Sequence, residues 1–171
     1  MSVELRPLRP DEFEAFAEHG RVGYVRQMVE FSGMEREAAE AKAERDYALT
    51  LPNGLETPGH WLFAVEAEGR RVGTVWFAER VLDGRTVAYL YEIEIDEAER
   101  GRGYGRAAME AFEQEAARRG LRELELNVFG GNDVARSLYR SMGWHETAVS
   151  ERGRAKVQTP LTKEWVGTSG E

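Results

Sequence analysis

Between residues 90 and 119 the chain changes its periodicity within a single tight turn. Leu90-Tyr91-Glu92-Ile93-Glu94-Ile95 reads as a strand, while Gly103 to Arg119 carries Tyr104, Ala107, Ala108, Ala111, Phe112 and Ala116 at helical spacing. The joint between them is Arg100-Gly101-Arg102-Gly103-Tyr104-Gly105-Arg106. Glycines at such a joint let a ligand approach the backbone closely and point successive N–H groups at one place. The helix start contributes partial positive charge, and Arg100, Arg102 and Arg106 contribute full charges, so the turn suits a phosphate or pyrophosphate. Taken alone, the motif also reads as a plain basic surface turn.

The rest of the chain limits what can surround that turn. Its 171 residues are 42% hydrophobic and include 4 Trp, 6 Tyr and 7 Phe, enough for one core and too apolar for a disordered chain. One domain over residues 1–165 is expected, with 166–171 as a disordered tail. The balance of 23 Lys+Arg against 31 Asp+Glu gives a net charge of −8, which argues against nucleic acid or an anionic membrane as partner. There is no cysteine, hence no thiolate metal site and no cysteine nucleophile. His19, His60 and His145 lack metal-ligand spacing, so no metal is expected. No apolar run resembles a leader or a membrane span, and a cytoplasmic protein is the expectation.

Element by element, Val3 to Pro7 reads as a first strand, and Pro10-Asp11-Glu12 starts a helical stretch that runs to Thr50 and breaks at Ser32-Gly33. After a loop over 51–59, strands are expected over 61–67, 71–79 and 86–96, joined by compact glycine-containing turns. The helix over 103–119 and a strand over 121–128 follow, then a helix over 132–142 and two closing strands over 144–150 and 154–162. The order predicts a mixed α/β (α+β) domain whose helices cover a mostly antiparallel sheet. Trp61, Trp76, Phe77 and Trp144 fall in strand patterns and read as core.

Two phosphate-binding alternatives can be weighed on the residues. No G-x-x-x-x-G-K-[ST] is present. Gly103 to Ala108 fits the relaxed dinucleotide form G-x-G-x-x-A, with Glu123 or Glu125 downstream. Against it, the preceding strand carries Glu92, Glu94 and Asp96 where such a fold buries an apolar strand, and it follows hairpin-linked strands rather than opening a βαβ unit.

The strand and turn over 90–105 resemble the R/Q-x-x-G-x-G/A signature of the GNAT superfamily of acyl-CoA-dependent N-acetyltransferases. Downstream, Leu126-Asn127-Val128 followed by Asn132, Ala135, Leu138, Tyr139, Gly143 and Trp144 is similar to the second motif of that family, a strand and then N-x-x-A-x-x-L-Y-x-x-x-G-F/W. The resemblance runs over residues 3 to 163. It implies a sheet of six to seven strands, about four helices, and a parallel strand pair (86–96 and 121–128) splayed at the cofactor site. It further implies that acetyl-CoA is co-substrate, with its pyrophosphate over Gly101, Tyr104 and the amides of Arg102, Gly103, Gly105 and Arg106. The pantetheine would pair with freed backbone of Ile93 and Ile95.

Asn132 and Tyr139 are two helical turns apart and so share a face. The family pattern implies that the asparagine contacts the cofactor arm and that the tyrosine, by its hydroxyl, protonates the departing thiolate; as residues alone they also read as an N-cap and a packed aromatic. Because an amine with a pKa near 10 is mostly protonated at neutral pH, transfer needs a base. Glu92 and Glu94 share a strand face by period two, with Tyr91, Ile93 and Ile95 expected on the other; a solvated acidic face is the plain alternative. Glu92 is the first candidate base, while Glu94 and Asn127 are candidates for orienting the acceptor. The expected partner is a small-molecule or peptide amine, and a homodimer is left open alongside a monomer. A non-catalytic acyl-CoA-binding module is the competing reading.

Overall fold

A computed structural model of the chain describes residues 2–129, 131–146 and 159–164. The elements are β1 (Glu4–Pro7), α1 (Phe13–Ser32), α2 (Arg36–Thr50), β2 (His60–Ala67), β3 (Arg70–Leu82), β4 (Arg85–Ile95), α3 (Tyr104–Arg118), β5 (Glu123–Val128), α4 (Asp133–Ser141), β6 (His145–Glu146) and β7 (Thr159–Glu164). Among the described residues the strands form one sheet of order β1-β2-β3-β4-β5-β7-β6. Every neighbouring pair is antiparallel except β4 and β5. This is the expected mixed, mostly antiparallel architecture with one parallel pair. The expected tail 166–171 and much of the closing strand pair lie outside the described residues.

The sheet separates two apolar layers. On one face Phe63, Val75, Phe77, Leu90, Leu124 and Leu126 pack under Met109 and Phe112 of α3, with Tyr139 and Trp144 closing the far side. On the other face Leu62, Ala64 and Trp76 meet Phe16 and Ala17 of α1, and Val25 and Met28 join Ala39 and Ala43 between α1 and α2. The α3 layer contains one buried polar cluster. Glu113 accepts hydrogen bonds from Trp144 Nε1 at 3.1 Å and Lys163 Nζ at 2.8 Å, tying α3 to β7 and to the end of the α4 turn. Among the described residues no helix is long and apolar enough to cross a membrane.

Strand β4 positions the site. Its register against β3 passes from Phe77↔Leu90 to Trp76↔Glu92, so Tyr91 is an extra residue, a β-bulge. The parallel pairing with β5 covers Ala88, Tyr89 and Leu90 and goes no further. A bulge bends its strand and increases local twist. Tyr91 to Ile95 therefore diverge from β5 just where the bulge lies, and the two strands part in a fork.

The bulge also alters which side chains share a face. Leu90 and, after it, Ile93 and Ile95 all pack toward α3. Tyr91 stacks on Trp76 (4.5 Å between centroids, 14° between planes) in the opposite layer, beside Glu92 and Glu94. The simple alternation expected from the sequence placed Tyr91 with the isoleucines; the extra residue moves it to the acidic face.

Candidate active site

A cleft of about 490 Å³ opens at the fork. Its walls are Tyr89 to Ile95 of β4, Leu126 to Phe129 at the end of β5, Asn132, Ala135 and Tyr139 of the α4 region, and Gly20, Tyr24, Asp46 and Tyr47 of α1 and α2. Arg100 reaches it from the glycine-rich turn. Of the residues singled out from sequence, Glu92, Ile93, Glu94, Ile95, Arg100, Asn127, Asn132 and Tyr139 are therefore brought to one cavity.

The turn is built by backbone conformation. Gly101 (φ +75°) and Gly103 (φ +84°) are left-handed, a region that side chains with a Cβ rarely adopt. A Cβ at either would meet nothing within 4 Å, so the demand for glycine there is conformational and not one of space. Gly103 is the N-cap of α3, and Ala107 N–H donates to its carbonyl at 3.2 Å. The amides of Tyr104, Gly105 and Arg106 precede that first helical bond and are left facing out of the helix end. They carry the positive end of α3.

The three arginines are engaged in this structure. Arg100 Nε donates to the Ile95 carbonyl at 3.0 Å, and its Nη2 lies 3.3 Å from Glu94 Oε1. Arg102 pairs with Glu99 at 3.5 Å, and Arg106 Nη2 donates to Ser141 Oγ at 2.7 Å. The Arg100 and Arg102 side chains are themselves exposed, whereas Glu94 and Glu99 are largely covered, the Glu99 oxygen that Arg102 faces being buried.

At the fork, Asp96 N–H donates to Val72 O at 2.9 Å across β3. Ladder bonds alternate along a strand, so the backbone groups of Ile93 and Ile95 point the other way, into the gap left by β5. The Ile95 carbonyl is the one that Arg100 holds.

Glu92 is the carboxyl of the cleft whose pKa is pushed upward. Tyr47 Oη donates to its Oε2 at 3.0 Å, while Oε1 is enclosed and has no hydrogen-bond partner among the described residues. Burial pushes its pKa up to about 7, and the Glu94 charge adds to this; Tyr47, His19 and Thr74 pull the other way. Glu94 is differently placed, with Oε1 lying 3.1 Å from His19 Nε2 and 3.3 Å from Arg100 Nη2. Burial likewise raises Tyr139, to about 12, so its hydroxyl stays protonated at neutral pH. The Tyr139 ring packs against Trp144 at 6.2 Å, and the hydroxyl donates to no described residue.

Asn132 Oδ1 accepts Ala135 N–H at 3.3 Å and caps α4. Asn127 Nδ2 donates to Tyr89 Oη at 2.7 Å. Trp76 is buried as expected of a core residue and donates to His60 Nδ1 at 3.0 Å, yet its edge also reaches the cleft wall. The resemblance implies that the two N-terminal helices select the acceptor, but the individual residues they bring, Tyr47 above all, escaped the sequence reading. The available signal was Gly20, a glycine inside a helical pattern, which carries a cost that calls for a packing reason.

A family model described as the acetyltransferase (GNAT) family matches residues 23–144. The chain belongs to this family. It is 31% identical over 150 residues to YycN of Bacillus subtilis (strain 168), described as an uncharacterized N-acetyltransferase, covering 87% of this chain and 96% of that one. YdgE of the same organism, described in the same words, is 28% identical over 89% of this chain and 98% of its own. The crystal structure of YycN superposes with a TM-score of 0.83 over 90% of this chain and 98% of that one, at 30% identity. The PaiA N-acetyltransferase of Thermoplasma acidophilum, solved with coenzyme A, shares the fold at a TM-score of 0.71 and 18% identity, over 96% of this chain and all of its own. Membership in the GNAT family makes the fork, the turn and the α3 N-terminus parts of one acetyltransferase domain.

Proposed function

We propose that this GNAT protein acetylates a primary amine from acetyl-CoA by direct attack within a ternary complex, with Glu92 as base and Tyr139 as acid. One observation carries the reading: a carboxyl raised to about 7 and a tyrosine held protonated line the same cleft, at a fork whose backbone is open. The residues present fit coenzyme A. The α3 amides and the basic turn would hold its pyrophosphate, the freed backbone of Ile93 and Ile95 its pantetheine, and Asn132 would flank that arm. Bound there, acetyl-CoA supplies the acetyl group as an activated thioester.

Glu92 takes a proton from the acceptor nitrogen, directly or through a water, as the new C–N bond forms. A carboxylate with a pKa near 7 is a far better proton acceptor than an ordinary one and is still substantially ionised at neutral pH. Tyr139 gives its hydroxyl proton to sulfur as the C–S bond breaks. One proton is taken and one given, and both groups reset through solvent. Glu94 and Asn127 flank the acceptor side, Glu94 adding negative charge that favours an ammonium-bearing acceptor.

The test is to mix the protein with acetyl-CoA and a panel of small and peptide amines and to follow free CoA thiol. The chain has no cysteine, so the protein itself adds no thiol background. Release with at least one amine, lost in Glu92→Gln, is the expected result. Tight acetyl-CoA binding without release for any amine would favour the acyl-CoA-binding module instead.

A further inference from the structure

We propose that Tyr47, admitted to the site by Gly20, is a positioning residue that fixes the Glu92 carboxylate so that one oxygen is anchored and the other is left to receive the acceptor's proton. The inference rests on Glu92 acting as the base.

The two oxygens of Glu92 have unequal surroundings. Oε2 accepts the Tyr47 hydroxyl at 3.0 Å, whereas Oε1 is enclosed and unpartnered. A buried oxygen left without a donor is costly, and such orphans in a cleft mark a place where a ligand or water supplies the missing hydrogen bond. An acceptor N–H, or a water relaying its proton, that enters the cleft and displaces the atoms covering Oε1 would meet that need and deliver the proton where it is to be taken.

Tyr47 is itself held on several sides. Its ring lies 5.6 Å from that of Trp76, and the Arg21 guanidinium sits over it at 5.9 Å. Burial and the adjacent Glu92 raise its pKa far above the ordinary value, so the hydroxyl is a permanent donor that never competes for the proton. Helix α1 passes so close that a Cβ at Gly20 would overlap Tyr47 Oη and lie 2.7 Å from Glu92 Oε2. Glycine inside a helix costs about 1 kcal/mol against alanine. Here that cost opens the space in which hydroxyl and carboxylate meet.

The groups facing Glu92 come from each neighbouring element. Gly20 and, more distantly, His19 come from α1, Tyr47 from α2, Thr74 from β3, and Glu94 from β4 itself, with Arg100 bound to Glu94. Both the Tyr47 and the Thr74 hydroxyls hydrogen-bond this carboxyl, with Tyr47 the stronger of the two, so its removal should be felt as a change in proton affinity and not only in packing. A hydrogen bond to a carboxylate is of a size that moves its titration by about one to two pH units.

The experiment compares wild type with Tyr47→Phe, which deletes only the hydroxyl, and with Gly20→Ala, which keeps it but crowds it. The Glu92 carboxyl is titrated by 13C NMR in protein without substrates, its resonance assigned by its loss in Glu92→Gln, and the acid limb of kcat/KM for the amine is recorded in parallel. The expected result is an upward shift of about one to two pH units in Tyr47→Phe, in both readouts, and a shift of the same sign in Gly20→Ala. Acetyl-CoA affinity should be unchanged in Tyr47→Phe. A Glu92 titration that superposes on wild type in the folded Tyr47→Phe protein overturns the proposal; should that variant not fold, an unshifted titration in Gly20→Ala does so. If Glu92→Gln keeps full activity, the base assignment itself is what fails, independently of whether Tyr47 moves the titration.

Discussion

Replacing Glu92 with glutamine should remove activity and change the stability relative to wild type in a defined, pH-dependent way. In the unfolded chain the carboxyl ionises near 4.5, and in the folded protein near 7. Below both values the group is protonated in either state and contributes nothing. Between them the unfolded chain has released its proton and the folded protein has not, so stability falls as pH rises, and above 7 the loss is complete. At about 1.4 kcal/mol per pKa unit the loss reaches about 3 kcal/mol. Glutamine has the same shape, still accepts from Tyr47, and has no charge to desolvate. Its amide N–H group needs a partner, a cost of about 1–3 kcal/mol that does not vary with pH. The quantity to measure is therefore the change in the stability difference between pH 4 and pH 8.5. Urea unfolding of both proteins at four pH values should show the variant gaining about 2–3 kcal/mol relative to wild type across that range, most of it between pH 5 and 7. In melting temperature this is about 4–12 °C for a chain of this size. A difference that stays constant with pH would mean that Glu92 ionises normally in the fold, and the argument for its basicity would go with it.

Three further outcomes follow from the same geometry. Tyr139→Phe should lower turnover by at least about tenfold with acetyl-CoA affinity measured by calorimetry unchanged, and near-normal turnover removes Tyr139 from the mechanism. Gly103→Ala, at φ +84°, should cost about 1–2 kcal/mol in urea unfolding, whereas Gly105→Ala, with only Leu138 at 3.8 Å, should leave stability within about 0.5 kcal/mol; equal losses would contradict the conformational account of the turn. Glu113→Ala should cost about 3–5 kcal/mol because it strands the Lys163 ammonium and the Trp144 N–H in the α3 layer, and a loss below about 1 kcal/mol would show the cluster to be dispensable.

Much of the framework was legible because it is written in local chemistry. The glycines at 101 and 103 announce a strand-to-helix turn, and Asn132 and Tyr139, two turns apart along α4 from its N-cap, reach the same cleft. What escaped the reading depends on contacts between distant segments. Tyr47 stands 45 positions from Glu92, and nothing in its own surroundings says that it will meet a carboxylate. The partners of Arg100 and Arg106 were equally hidden: the residues read as a pool of free positive charge are spent on Glu94, the Ile95 carbonyl and Ser141. Side-chain pairing across elements is set by where the sheet and helices finally lie, and no periodicity encodes it.

The face occupied by Tyr91 is a different kind of miss, because the information was present. Ala88 and Leu90 are apolar at even positions, Ile93 and Ile95 at odd ones, and all four belong to the α3 layer. A strand of strict period two cannot satisfy both sets. One of them must turn to the polar side, or the strand must carry an extra residue between 90 and 93. Burying four apolar side chains at about 1.5–3 kcal/mol for each large one outweighs the ladder bonds lost at a bulge, at about 0.5–1.5 kcal/mol each. The hydrophobic pattern therefore demands the bulge. The bulge in turn bends β4 away from β5 at the last paired residue, Leu90, and delivers Tyr91, Glu92 and Glu94 together to the α1–α2 side. The cleft and its acidic face thus have a common origin in one slip of hydrophobic phase. Shortening β4 by the single residue Tyr91 would restore strict alternation while keeping Glu92 and the isoleucines on their present faces. It should then draw the two strands together and close the fork, and the folded protein would lose acetyl-CoA binding.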